Sequence, residues 1–158
     1  MIGINLHKLI LKATDIIKYS KKIVVFTGAG SSTESGIADF RSKGGLWSRY
    51  DPSIYANYHY FLQDPGKFCK MNNELVNILL NSKSNLIHYA VANLEKLGKI
   101  DAVITQNIDA LHKAADSGET TLIYELHGSY KKLECINCKK QFEFEEIETN
   151  NVKYPVCE

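Results

Sequence analysis

Three short runs of branched apolar residues set the tightest limit on what this chain can fold into. They are Ile23-Val24-Val25-Phe26, Ile100-Asp101-Ala102-Val103-Ile104-Thr105 and Leu122-Ile123-Tyr124-Glu125-Leu126. The first reads as a strand buried on both faces, and the second as a further buried strand. Helical patterns lie around and between them. Asn5 to Tyr19 carries Leu6, Leu9, Ile10, Ala13, Ile16 and Ile17 at helical spacing, with Asn5 as N-cap. Pro65 opens a helix reaching about Asn81. Asn85 to Leu97 places Leu86, Tyr89, Ala90, Asn93, Leu94 and Leu97 along one side and closes at Gly98. A short helix is expected over Ile108 to Ala115. Strands alternating with helices give an α/β fold, with a parallel sheet at its centre.

Each strand runs into a small or polar cluster: Gly28-Ala29-Gly30, Gln106-Asn107-Ile108-Asp109 and His127-Gly128. Open α/β sheets bind ligands beyond the carboxyl ends of their strands, so the three clusters are expected to meet at one crevice. Glycines after the first strand let backbone N–H groups approach a pyrophosphate without a Cβ in the way. The spacing departs from G-x-G-x-x-G, because the next glycine is Gly36. The continuation Ser35-Gly36-Ile37-Ala38-Asp39-Phe40-Arg41 is poor core material, although a solvated loop plugged by Phe40 is an alternative. Gln106, Asn107 and Asp109 supply amides and a carboxylate able to hold ribose hydroxyls or a carboxamide. Helix capping by Asn107 and Asp109 competes with that reading. His127 suits a general base. His7, His59 and His88 read as ordinary, and His112 as support for the pocket wall. Trp47 and the tyrosines after it read as core.

The rest of the composition narrows the class. With 44% hydrophobic and 23% charged residues in 158, the chain has globular proportions. A net charge of +1 gives no footprint for direct nucleic-acid binding. No apolar run approaches the roughly 18 residues of a membrane span, and no signal peptide is evident, so a reducing cytoplasm is the expected setting. Cys135-Ile136-Asn137-Cys138 is a C-x-x-C knuckle, with Cys157 after eighteen intervening residues. This is zinc-ribbon spacing, with a fourth ligand expected two positions past Glu158. A redox pair is the weaker alternative, because the knuckle lies among lysines and glutamates. Cys69 reads as a small buried side chain.

Taken together, the motifs resemble the sirtuin family of NAD-dependent protein lysine deacylases. The resemblance rests on Gly28-Ala29-Gly30-Ser31-Ser32, Ser35-Gly36-Ile37-Ala38-Asp39-Phe40-Arg41, Gly45-Leu46-Trp47, Thr105-Gln106-Asn107-Ile108-Asp109-Ala110-Leu111-His112 and Glu125-Leu126-His127-Gly128-Ser129, followed by the knuckle. It covers nearly the whole chain from about Ile23. It implies a Rossmann-like parallel sheet with helices on both faces, plus a small domain made of a helical module and a zinc ribbon, incomplete here. The expected division is 1–45 and 82–129 for the NAD-binding part, 46–81 for the helical module and 130–158 for the truncated zinc ribbon. Implied cofactors are NAD and zinc, and the implied partner is an acyl-lysine protein or peptide. The implied reaction moves the acyl group to ADP-ribose and releases nicotinamide.

By position, His127 is the implied base. Gly28, Ala29, Gly30 and Glu34 fall on phosphate and pocket positions. Asp39, Phe40 and Arg41 belong to the loop that closes over NAD. Gln106, Asn107, Ile108 and Asp109 line the ribose and nicotinamide. Cys135, Cys138 and Cys157 are the implied zinc ligands. Ala38 and Ser42 stand where the family usually has proline and glycine, which is expected to loosen the cofactor loop. Asp116 replaces a common glycine at a turn. Asn72 and Leu75 occupy the places of a Tyr-x-x-Arg pair that serves acidic acyl groups, so a neutral acyl group such as acetyl is favoured. Mono-ADP-ribosyl transfer at the same NAD site is the alternative activity. These 158 residues alone are expected to bind zinc poorly and to turn over little or nothing, and an inactive truncated fragment is the alternative of another class.

Overall fold

The computed structural model describes residues 6–118, 121–144 and 156–157. Three strands, β1 (Ile23–Thr27), β2 (Ile100–Thr105) and β3 (Leu122–Glu125), form one sheet in the order β1-β2-β3. All neighbours are parallel, so the three carboxyl ends lie at one edge. Thr27 pairs with Thr105, and Thr105 with Glu125, which levels the strand ends.

The helices are α1 (Leu6–Tyr19), α2 (Pro52–Tyr55), α3 (Tyr58–Gln63), α4 (Pro65–Asn81), α5 (Leu86–Lys96) and α6 (Leu111–Ala114). Ala29–Ser35 and Leu46–Ser48 are 3-10 turns. A small hairpin, β4 (Lys132–Glu134) with β5 (Gln141–Glu143), carries the cysteine knuckle. Helix α4 starts at Pro65 because proline lacks the N–H that a first turn leaves unused, and the Asp64 side chain accepts from Gly66 N–H. Asn5 and residues 145–155, between the knuckle and Val156-Cys157, lie outside the described residues.

Two apolar clusters hold this together. Val91 and Leu94 of α5 pack on Ile23, Val25, Ile100, Val103 and Ile123, the covered face of the sheet. Met71, Leu75 and Leu79 of α4 gather Ile37, Leu46 and Leu111, with Phe40, Trp47, Tyr50 and Tyr55 partly buried against them. Trp47, Tyr50 and Tyr55 pack against this core, as their sequence context suggested, whereas Tyr58 and Tyr60 are exposed, which corrects the expectation for them.

Two sequence expectations need correction. β1 is not buried on both faces: its residues alternate, with Val24 and Phe26 exposed at 58% and 61%. Leu122 and Tyr124 of β3 are exposed on the same face. A continuous apolar run signals a strand with partners on both sides, and among the described residues only one face has them. The buried side of α5 is also not the predicted one. Leu86, Tyr89 and Leu97 are exposed, while His88, Val91, Ala92 and Glu95 are buried. Hydrophobicity alone chose the wrong stripe, because two polar residues on the true one have dedicated partners.

Glu95 is the clearest of these. Its carboxylate accepts from Ser117 Oγ, Gly118 N and Thr121 N at 2.8–3.1 Å. It therefore gathers the loop between α6 and β3, where Asp116 adopts φ +61°, a conformation that suits glycine and that aspartate tolerates better than most residues. Glu95→Ala strips several buried donors of their acceptor and is expected to cost about 3 kcal/mol of stability in urea unfolding. Glu95→Gln should cost less; equal losses would show that the negative charge, not the acceptor, holds the loop.

Candidate active site and cysteine centre

The three strand-end segments do meet. Ser31 and Ser32 lie in the 3-10 turn after β1, and Asn107 and Asp109 in the loop after β2. The Asn107 side-chain amide donates to Ser31 Oγ at 3.1 Å and to Ser32 Oγ at 3.0 Å. Ser32 Oγ donates to Asp109 Oδ2 at 2.6 Å, and Asp109 Oδ1 accepts from Leu111 N. Ser32, Asn107 and Asp109 are 1%, 9% and 6% exposed. The third segment is tied to the second by its backbone: Leu126 N donates to Thr105 O, and Tyr130 N to Ile108 O. His127 lies on this segment, exposed to solvent beside the Gln106–Ile108 loop. Gly128, at φ +78°, turns the chain back directly after it.

Beneath the loops the sheet contributes a polar base. Thr27 Oγ1 donates to Thr105 Oγ1 at 2.9 Å, Asn107 N donates to Thr105 Oγ1, and His112 Nε2 lies 2.9 Å from Thr27 Oγ1. Asn107 is thus not a helix cap: Ala110, at φ +58°, fills that position of α6. Asp109 does bond the first turn of α6, so its capping and site roles coexist.

The remaining predicted residues fall around this base. Ala29, Gly30 and Glu34 lie in the 3-10 turn, with Gly30 and Glu34 exposed. A Cβ added at Gly28 or Gly30 would meet no protein atom within 4 Å. Internal packing does not demand glycine there, so the space in front of these residues fits a close-lying ligand such as a dinucleotide phosphate. Gln106 is exposed, with its N–H on Thr27 O, and Ile108 is half-buried against the α4 cluster.

Asp39 accepts from Arg41 N, Ser42 N and Ser42 Oγ. Bonding to the Ser42 side chain, then to the Ser42 and Arg41 backbone, holds its carboxyl below the ordinary range. Phe40 packs on Trp47 with ring centroids 5.3 Å apart, leaving Arg41 exposed at the loop tip. Gly45 is obligatory here, because a Cβ would fall 2.1 Å from Asp39 O.

Sequence reasoning missed how much of the site is buried behind its lining. His88, read as ordinary, is 0% exposed beside His112, and Asn85 bonds Ser31 O and Ser35 Oγ. The signal was present: histidine three residues after Asn85 is a capping box, with Asn85 N–H donating to His88 Nδ1.

The cysteines form a second centre. The sulfurs of Cys135, Cys138 and Cys157 lie within 4.8 Å of one another, and Cys138 and Cys157 are 3.7 Å apart. Thiolates about 2.3 Å from a tetrahedral zinc ion sit about 3.8 Å from each other, so the donor type and spacing fit zinc. Backbone N–H groups of Cys138 and Asn137 pull the Cys135 thiol down to about 7, already near its ligating form. Hydrogen bonding to Cys138, reinforced by burial, pushes Cys157 up to about 11. Cys69 is half-buried, and burial raises its thiol.

The sequence and the fold resemble those of known proteins. The profile of the Sir2 family matches residues 28–158. The chain belongs to the Sir2 family. It is 43% identical over 150 residues to NAD-dependent protein deacylase 2 of Archaeoglobus fulgidus, covering 94% of this chain and 58% of that protein. It is 47% identical over 133 residues to the NAD-dependent protein deacetylase of Caldivirga maquilingensis, covering 84% and 50%. A solved Sir2 complex with a deacetylated p53 peptide and 3'-O-acetyl ADP-ribose superposes with a TM-score of 0.85 at 34% identity, covering 94% of this chain and 60% of that one. A Sir2 homologue with NAD gives 0.76 at 41% identity, covering 85% and 52%. The chain therefore spans between half and three-fifths of the length of these relatives.

Two outcomes follow. Cobalt(II) added to the reduced chain should produce thiolate charge-transfer absorption that Cys138→Ala abolishes; an unchanged spectrum in the variant would remove this cysteine from the centre. Burial, then the neighbouring His88, lowers His112 from 6.5 to about 4, against a smaller opposing pull from Asp109. The unfolded chain accepts that proton near pH 6.5 and the folded chain only near 4. Stability is therefore full above pH 6.5 and declines as pH falls toward 4, by up to about 3 kcal/mol. His112→Phe should flatten the decline of the urea midpoint between pH 7 and 5.

Proposed function

We propose that this chain carries the nicotinamide-ribose half of an NAD-dependent protein lysine deacetylase. The observation that carries the reading is the buried Asn107–Ser32–Asp109 network beneath open glycine positions, with His127 at the adjoining strand end. Family relatives named as NAD-dependent deacetylases and deacylases, and a Sir2 homologue solved with NAD, support it.

When bound, NAD supplies the leaving nicotinamide and the ribose that accepts the acyl group. The chain's own residues then divide the work. Gly28 and Gly30 leave room for the pyrophosphate. Asn107, held on both serine hydroxyls, has a fixed amide plane, and Asp109 sets the charge behind the carboxamide end. Fixed dipoles in a dry pocket stabilise a developing positive ribosyl centre without having to reorganise. A ring nitrogen of His127 takes the proton of a ribose hydroxyl. Phe40, hinged on Trp47, excludes water, and Arg41 reaches over the cofactor.

The acyl donor in this reading is an acyl-lysine peptide with a neutral group such as acetyl. Leu75 sits in the α4 core and Asn72 offers no cation for an acidic acyl group. Cys135, Cys138 and Cys157 would hold a zinc ion that would fix the small ribbon, and a reducing cytoplasm would keep those thiols available.

His127→Tyr in the active protein should lower deacetylation of an acetyl-lysine peptide by at least about a hundredfold, while NAD affinity by calorimetry changes less than about threefold. Asn107→Ala should weaken NAD binding itself by about tenfold or more. Surviving deacetylation in the histidine variant would remove the base assignment.

A further inference from the structure

Among the described residues, two buried ring nitrogens have no hydrogen-bond partner: Nε2 of His88 and Nδ1 of His112. The residues are 0% and 2% exposed, and their rings lie edge to face with centroids 4.9 Å apart. Leaving either atom unsatisfied is costly. The surrounding bonds fix which atom carries a proton. The Asn85 N–H, whose direction the backbone fixes, points at His88 Nδ1 from 3.2 Å as in a capping box, while Asn85 Oδ1, 3.1 Å from the same nitrogen, accepts from Ile87 N. His88 Nδ1 is therefore the acceptor, and the His88 proton sits on Nε2. At the other end, Thr27 gives its only hydroxyl proton to Thr105 Oγ1. Thr27 can face His112 Nε2 only as an acceptor, so the His112 proton also sits on Nε2 and its Nδ1 is a bare acceptor. One orphan is a donor and the other an acceptor, on adjacent rings.

We propose that His88 Nε2–H donates to His112 Nδ1, directly or through one buried water, completing a relay that positions Asn107. Its path runs from the Asn85 N–H through both imidazoles to Thr27 and Thr105, and Thr105 Oγ1 receives the Asn107 N–H. The same Asn85 also grips the loop after β1 through Ser31 O and Ser35 Oγ. The N-terminus of α5 thus aligns both loops of the cleft, and neither histidine touches substrate. Burial lowers both imidazoles, with His112 at about 4, which keeps them neutral as the relay requires. Asp109 is the carboxylate that faces the pair, and it pulls in the opposite sense. This inference rests on the NAD reading only for its functional half.

Long-range proton–nitrogen correlation spectra of the full chain at neutral pH test the relay. Both imidazoles should be Nε2–H tautomers. In His88→Phe the His112 Nδ1 resonance should move toward that of an unbonded acceptor, and NAD affinity should drop about tenfold. His88→Gln, which retains a donor, should recover part of that affinity. A proton on Nδ1 of either ring overturns the relay, as does an unmoved His112 resonance in His88→Phe. Unchanged NAD affinity in His88→Phe, or no recovery in the glutamine variant, overturns the positioning role. If His88→Phe does not fold, the wild-type tautomers and the glutamine variant still decide. An unaltered chain that binds no NAD would sink the cofactor reading instead, leaving the tautomers to judge the relay.

Discussion

The site depends on one hydroxyl. Ser32 accepts the Asn107 amide and donates to the Asp109 carboxylate, so it joins the loop after β1 to the loop after β2. Parallel strands bring their carboxyl ends to one edge, but that alone leaves loops free to diverge. A buried serine with both hydrogen-bonding capacities used removes that freedom. Its neighbours cannot move without leaving a charge or an amide unpaired away from water, which costs more than the net value of any one bond.

That constraint explains why so much polarity is tolerated near a three-stranded sheet. Thr27, Thr105, Asn107, Asp109 and His112 would each be a poor core residue alone. Together with Ser31 and Ser32 they satisfy one another except at His112 Nδ1, and the apolar clusters around α4 and α5 surround them. The cost of the arrangement appears in backbone strain at Ala110 and in an imidazole held neutral far below its usual range. Such features collect where an arrangement serves a ligand and not stability alone.

The parallel sheet, the helix from Pro65 to Asn81 and the three converging strand ends were legible in the sequence, because each has a local cause: a β-branched run, a proline at a first turn, glycines after a strand. The cysteine knuckle was legible through its spacing. What escaped was set by long-range partners. Hydrophobicity chose the wrong face of α5, since nothing near Glu95 in sequence announces that Ser117, Gly118 and Thr121 will donate to it. His88 looked ordinary because its ring gains meaning only beside His112, twenty-four positions away. The buried side of β1 was misjudged for a related reason: an apolar run states that a face is suited to burial, not that a partner lies against it.

The two faces of the sheet then have separate duties. Ile23, Val25 and Thr27 alternate along β1 on the covered side, and Val103 and Thr105 continue that side on β2. The threonines at the strand ends are therefore the last residues of the packed face, turned from apolar to hydrogen-bonding at the level where the cleft opens. Val24, Phe26, Leu122 and Tyr124 lie on the other side and supply nothing to the cradle. Asn107 and Asp109 are thus positioned by the turn after β1, the first turn of α6 and the covered face, and a change on the open face reaches the cradle only if it shifts the strands themselves.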